Sequence, residues 1–300
     1  MRNDSRRRKP ILAAATSAAV LLAAAAGVHA WRSTGGQETP AAATPLRTSA
    51  GPTESPRPGF PTAHTTGVRD GATLADSESI VIDEPGAVIE GLRVRGQIEV
   101  RADNVTIRDT LVEGRGTHYP LRIAQGVKNV LIEHVEVNNS PGGGIGIFFD
   151  GGSGTVRYTD VHTATDGVRI QADDVVIEYS YIHDLQRTEG GHHDSIQIRS
   201  GDNITIRGNS LIPYVARTRD PMNAAIQIGS VMRGPLVNLR VEANFMDGGN
   251  YTINGGEALE SASFVGNTFG PNARYGVRTR MAPRIVWRGN VMLNTGKPAD

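Results

Sequence analysis

The sequence predicts an all-β fold, a single-stranded right-handed parallel β-helix of about nine coils, and three observations carry that prediction. Gly is 36 of 300 residues, aromatics are 5% and hydrophobics 38%, a balance that suits short strands and turns rather than long amphipathic helices. Short alternating strands recur every 23 to 30 residues: LRI at 121, IGI at 145, VRI at 168, IQI at 196, IQI at 226, TIN at 252 and VRT at 277. A second strand follows each of them, among them NVTIRDTLV, NVLIEHVEV, DVVIEYSYIH and NITIRGNSL.

Alternation at period two means that one face of each strand is buried and the other wet. A coil of two or three such strands cannot bury its apolar face alone. Stacking the next coil on it, about 4.8 Å along the axis, does so. Aligning the second strands places Thr110, Val135, Thr159, Ser180, Asn209, Asn244, Asn267 and Asn290 in one column. Four successive Asn at an inward turn predict a ladder in which each amide bonds its neighbours out of reach of water. A β-sandwich would also use many short strands, but Asn-Gly and Asp-Gly hairpin signals are scarce and a sandwich gives no reason for an Asn column.

The N-terminal residues read differently. Arg2, Arg6, Arg7, Arg8 and Lys9 precede an Ala/Leu/Val-rich run from Ile11 to Val28, and Val28-His29-Ala30 suits cleavage, so residues 1–30 are expected to be a signal peptide. An uncleaved membrane anchor is the competing reading. Residues 31–65, rich in Pro, Thr, Ala and Ser, are expected to be a disordered linker, with the β-helix domain at 66–300. Five Lys/Arg and one Asp give residues 1–30 a charge of +4; the whole chain is neutral, so the remainder is −4. That balance argues against nucleic acid and anionic membranes as partners. The absence of Cys excludes disulfides, thiolate metal sites and a cysteine nucleophile. The expectation is a secreted or envelope-anchored monomer acting on a polysaccharide.

The NVTIRDT, VVIEYSYIHDL and NITIRGNS strands, the HHDSIQI segment and the opening TGVRDGATL resemble the pectate-lyase-like right-handed parallel β-helix proteins of exported bacterial origin. The resemblance spans residues 66–296. It implies a solenoid acting on polysaccharides as a lyase, a hydrolase or a uronate epimerase, and fold alone does not choose among them. Lyases of this group are thought to use Arg or Lys as base, whereas the pattern here favours His.

Function on a solenoid sits where loops interrupt the repeat. The two longest insertions, HDLQRTEGGHHDS and IPYVARTRDPMNAA, follow the same strand in adjacent coils and are expected to wall a cleft. Asp166 and Asp194 fall at equivalent positions before the first strand of those coils. A pair of carboxylates so close raises one pKa, holds a Ca²⁺ ion, or acts as the acid/nucleophile or acid/base pair of a glycoside hydrolase. Capping of local turns is the structural alternative. His192 and His193 are candidate bases, whereas His162 and His183 read as stacked turn residues. An outward column of Arg122, Gly146, Arg169, Gln197, Gln227, Ile253 and Arg278 adds polar groups. Arg169, Gln197 and Gln227, with Arg199, Arg217 and Arg219, are candidate substrate-binding residues. Tyr214 and Tyr251 are the nearest sugar-stacking candidates. The leading expectation is a lyase cleaving by β-elimination, with a hydrolase using Asp166 and Asp194, or a non-catalytic glycan-binding solenoid, as alternatives.

Overall fold

Strands of two to nine residues account for almost all the regular structure of the computed structural model, which describes residues 59–229 and 234–300. The described residues contain one three-residue 3-10 helix, Gly256–Ala258. No helix among them is long and apolar enough to cross a membrane. Residues 1–58, on which the expected signal peptide, the anchor alternative and most of the expected linker fall, lie outside the described residues.

The 24 strands of the described residues belong to one continuous parallel sheet wound into coils, and each inner coil pairs with the coils before and after it. Three sheet faces result. The first contains Leu121–Ile123, Ile145–Phe149, Asp166–Gln171, Asp194–Ser200 and Ala224–Ile228. The second runs from Val88–Glu90 through Val175–Glu178 to Val286–Arg288 in nine rungs. The third contains Asp160–His162, Tyr181–His183 and Ser210–Leu211. These rungs confirm the predicted architecture and coil number.

Alternation explains the core. In the second sheet Ile107, Ile132, Val156, Ile177, Ile206, Val241 and Phe264 align in one inward row, all fully buried. Each such side chain stabilises the fold by roughly 1.5–3 kcal/mol relative to exposure. The neighbouring outward row begins at Glu90 and alternates Glu and Arg as far as Glu242. Ion pairs join Glu90 to Arg108 (2.8 Å), Glu133 to Arg157 (2.7 Å) and Glu178 to Arg207 (2.6 Å). The row then passes Val265 and ends on Arg288.

The Asn ladder forms as expected. Asn209 Nδ2 donates to Asn244 Oδ1 (2.9 Å), Asn244 to Asn267 (3.0 Å) and Asn267 to Asn290 (2.9 Å). Each Oδ1 also accepts the backbone N–H of the preceding member, and Ser180 N–H joins through Asn209 Oδ1 (2.9 Å).

Two features differ from expectation. The outward column of the first sheet is Arg122, Phe148, Arg169, Gln197, Gln227 and Asn254, so Phe148 replaces Gly146 and Asn254 replaces Ile253. The strand Ile145–Phe149 is buried at every position and Ile253 is fully buried, so local alternation does not fix either register. Residues 59–65, read as the end of a linker, pack on the solenoid. Phe60 rests against Phe245 with ring centroids 5.7 Å apart. Gly67 N–H bonds Tyr158 O (2.9 Å), and Arg69 pairs with Asp109. This strap crosses the outside of the third sheet before the first strand, Ala75–Ile82, begins.

On the third sheet His162 and His183 are register neighbours, with rings 5.4 Å apart. His183 is gripped by Asp160 (2.9 Å) and Asp184 (2.8 Å) and stacks on Tyr181. Burial opposes its charge, but the two carboxylates outweigh burial and push the imidazole up to about 9.

Candidate functional site

The first insertion is fastened at both ends. Asp166, at the start of its strand, is buried, and its Oδ1 accepts the backbone N–H groups of His193 (3.0 Å) and Asp194 (3.1 Å). Its Oδ2 receives Arg169 Nη2 at 2.6 Å. His193 is also buried, in a left-handed conformation with φ 66°, and its Nε2 accepts the Thr188 N–H at 2.8 Å. Burial, then the Arg187 guanidinium, lowers its pKa, so the ring is neutral. Arg187 reaches across to Asp220 of the second insertion (2.7 Å), and Asn223 N–H bonds His193 O (3.1 Å). The two insertions therefore lie side by side, as expected.

The opposite wall comes from an earlier coil. Asn139, fully buried, donates to Thr117 O (3.0 Å) and Gly143 O (2.6 Å) and accepts Gly116 N–H (3.0 Å). It pins residues 116–118 against the turn at 143–144. Gly144 has φ 62°, and a Cβ there would run into the carbonyl oxygens of Thr117 and His118, so the close approach requires glycine. His118 then stands exposed on the rim, edge-on to Tyr119 (4.3 Å), which in turn rests on Phe148 (4.9 Å).

Between these walls lies a pocket of about 260 Å³. Asp166 and Arg169 line it together with His118, Thr165, Thr188, Glu189 and His192. His192 and His118 are both exposed, and the Asp166–Arg169 pair lies between the elements that carry them. Arg169 Nε is buried and has no hydrogen-bond partner. One edge of its guanidinium is thus held by Asp166 while other N–H capacity stays open.

Asp194 lies outside the lining. It is fully buried, with Oδ1 accepting Asn223 Nδ2 (2.7 Å) and Oδ2 accepting Gln197 Nε2 (3.3 Å). Burial, then the charge of Asp166, raises its pKa well above the usual carboxylate range. The amide network continues from Asn223 to Gln227 (3.0 Å) and from Asn254 to Gln227 (2.9 Å). Gln197 Oε1 is buried without a partner.

These contacts decide what the expected residues can do. Asp166, Arg169 and His192 meet at the pocket, whereas His193 faces inward to hold the insertion. Arg199 follows Gln197 on the same strand, half-buried, and Arg217 and Arg219 are exposed on the second insertion; none of the three is in the lining. Tyr214 packs against the Tyr181–Ile212–Phe245 cluster and Tyr251 against Tyr275, both away from the pocket. The expected Ca²⁺ site does not fit its donors: both oxygens of Asp166 and both of Asp194 already accept N–H groups, one of them from a guanidinium. Among the described residues no group of three or more His, Asp or Glu is placed to hold a metal ion. His118 carries no signal in the sequence, because it belongs to an ordinary-looking loop remote from the insertions.

The sequence profile described as the right handed beta helix region matches residues 79–230, just over half of the chain. The chain belongs to the right-handed β-helix family. A search of the curated proteins returns no match. Among solved structures, the A-module of the mannuronan C-5 epimerase AlgE6 of Azotobacter vinelandii is similar at 11% identity, covering 74% of this chain and 91% of that one, with a TM-score of 0.29. A trypsin-treated QnrB1, a plasmid-mediated fluoroquinolone resistance protein, is similar at 11% identity over 74% and 90%, with a TM-score of 0.27. Neither likeness bears on the chemistry of this right-handed β-helix protein, whose pocket must be read from its own residues.

Proposed function

We propose that this β-helix acts on a uronate-containing polysaccharide outside the cell and cleaves it by β-elimination in the His118–Arg169–His192 pocket. One observation carries the reading: two exposed imidazoles line a small pocket together with a guanidinium whose orientation is fixed by a buried carboxylate.

Elimination needs three groups. A cation neutralises the uronate carboxylate so that the adjacent C–H becomes acidic; Arg169 supplies that charge, aimed by Asp166. A base removes the proton, and the exposed imidazole of His192 at the pocket serves, whereas a guanidinium keeps its protons. The electron pair of the broken C–H bond forms the new C=C bond, the C–O bond to the leaving sugar breaks, and that oxygen takes a proton from His118. The pocket volume is just below the range of about 300–1,000 Å³ common for small-ligand sites, room for one sugar ring. The rest of the chain would then lie along the outward face carrying Gln197, Arg199 and Gln227.

The hydrolase alternative asks Asp166 and Asp194 to flank a glycosidic bond. Asp194 is fully buried beneath Asn223 and Gln197, so it reaches no substrate. Incubating the full chain with a panel of uronate-containing and neutral polysaccharides, with and without a chelator, tests the proposal. The expected result is an unsaturated, ultraviolet-absorbing product from uronate polymers alone, undiminished by the chelator. Reducing ends without that absorbance, or binding with no product, would overturn it.

A further inference from the structure

The two ends of the solenoid are complementary. Residues 75–91, which form the first rung, contain five carboxylates, Asp76, Glu78, Asp83, Glu84 and Glu90, and no Lys or Arg. Residues 272–300, which form the last rung and its tail, contain five Arg and one Lys against one acidic residue, Asp300. Most of these charges are exposed.

Both ends also leave strand edges open. Ala75–Ile82 and Val88–Glu90 pair only with the following coil, and Gly276–Arg278 and Val286–Arg288 only with the preceding one, among the described residues. Winding stops after Met292 because the chain folds back: Pro298 forms an antiparallel bridge with Val291, and Trp287 Nε1 donates to Ala299 O (2.7 Å). That tail covers the third sheet's edge and leaves the edges of the first two.

Register makes the match specific. Val88 and Val286 occupy one outward row of the second sheet, 56% and 51% exposed, although every rung between them is stacked on both sides. Two places further on, the Glu/Arg row starts with Glu90 and ends with Arg288, whose neighbour inside the chain is the uncharged Val265. In the inward row between them, Ile89 and Trp287 are only half-buried.

We propose that this surface is an interface for a second copy of the chain, the acidic first rung of one molecule stacking on the basic last rung of another. The parallel ladder then continues across the junction, Val88 covers Val286, and Glu90 restores the alternation that Arg288 leaves open. The contact is head-to-tail, so it builds open chains of molecules rather than a closed dimer. Attraction between the ends depends on exposed charge and is screened as salt rises past about 0.15 M.

Sedimentation velocity of the full chain over a concentration series, at low and high salt, tests this. The expected result is reversible association at low salt that high salt abolishes. The double variant V286E/R288E, changed only at exposed positions, should remain monomeric with an unchanged melting temperature. R240E, on the side wall of the second sheet, should associate like the parent. A parent that stays monomeric at low salt would overturn the proposal. So would association that persists in V286E/R288E, as self-association through the N-terminal apolar run would do.

Discussion

Asp166 and Asp194 occupy equivalent positions one coil apart, yet their surroundings give them opposite energetic roles. Asp166 offsets its burial with two backbone N–H groups and Arg169. Asp166→Asn leaves the guanidinium short of a counter-charge and should cost roughly 3 kcal/mol in a denaturant titration. Asp194 is held above the usual carboxylate range by burial, then by Asp166. Its folded state binds the proton more tightly than its unfolded state, so it subtracts stability as pH rises above the ordinary Asp range. Asp194→Asn should therefore raise the melting temperature at pH 7, with the gain shrinking toward pH 4. The unpartnered Gln197 Oε1 lets that amide turn to receive the new N–H. A lower melting temperature at pH 7 would contradict this. His183 has the reverse sense. Its pKa rises from 6.5 to about 9 on folding, so its contribution is fully present below pH 6.5 and is lost as pH rises through about 9. The parent's melting temperature should fall across that window, and His183→Gln should flatten the fall.

At the scale of the elements, the Asn ladder is the least replaceable part of the turns. Asn244 donates to Ile206 O and Asn267 Oδ1 while accepting from Asn209, all of it buried. Asn244→Ala strands several polar groups and should cost about 3 kcal/mol, read as a lower denaturation midpoint with unchanged slope. That ladder was legible because the second strands keep strict alternation and the Asn residues recur at the coil spacing. The first sheet was harder: its strand at Ile145–Phe149 is buried on both faces, so period-two reading shifted Phe148 out of its column. The insertions were visible as long coils and their contact followed from adjacency. The other wall of the pocket was not. His118 is placed by Asn139 and Gly144, through backbone contacts between loops of different coils, and no local pattern reports such a contact. For the same reason His192 and His193 looked alike in the sequence, and only burial separates them.

At the scale of the whole molecule, the solenoid is the frame on which loops from separate coils converge. The strap packs on the third sheet and ion pairs line the second, on the sides away from the pocket. The proposed elimination passes protons between the substrate and the two imidazoles of the pocket. Its most direct test is the rate of unsaturated-product formation on a responsive uronate polymer, measured against pH for the parent, His192→Ala and His118→Ala. Each variant is expected to keep its fold, lose about 10²–10⁴-fold in kcat and lose one limb of the pH profile. Full activity in either variant, with both limbs intact, would contradict the account.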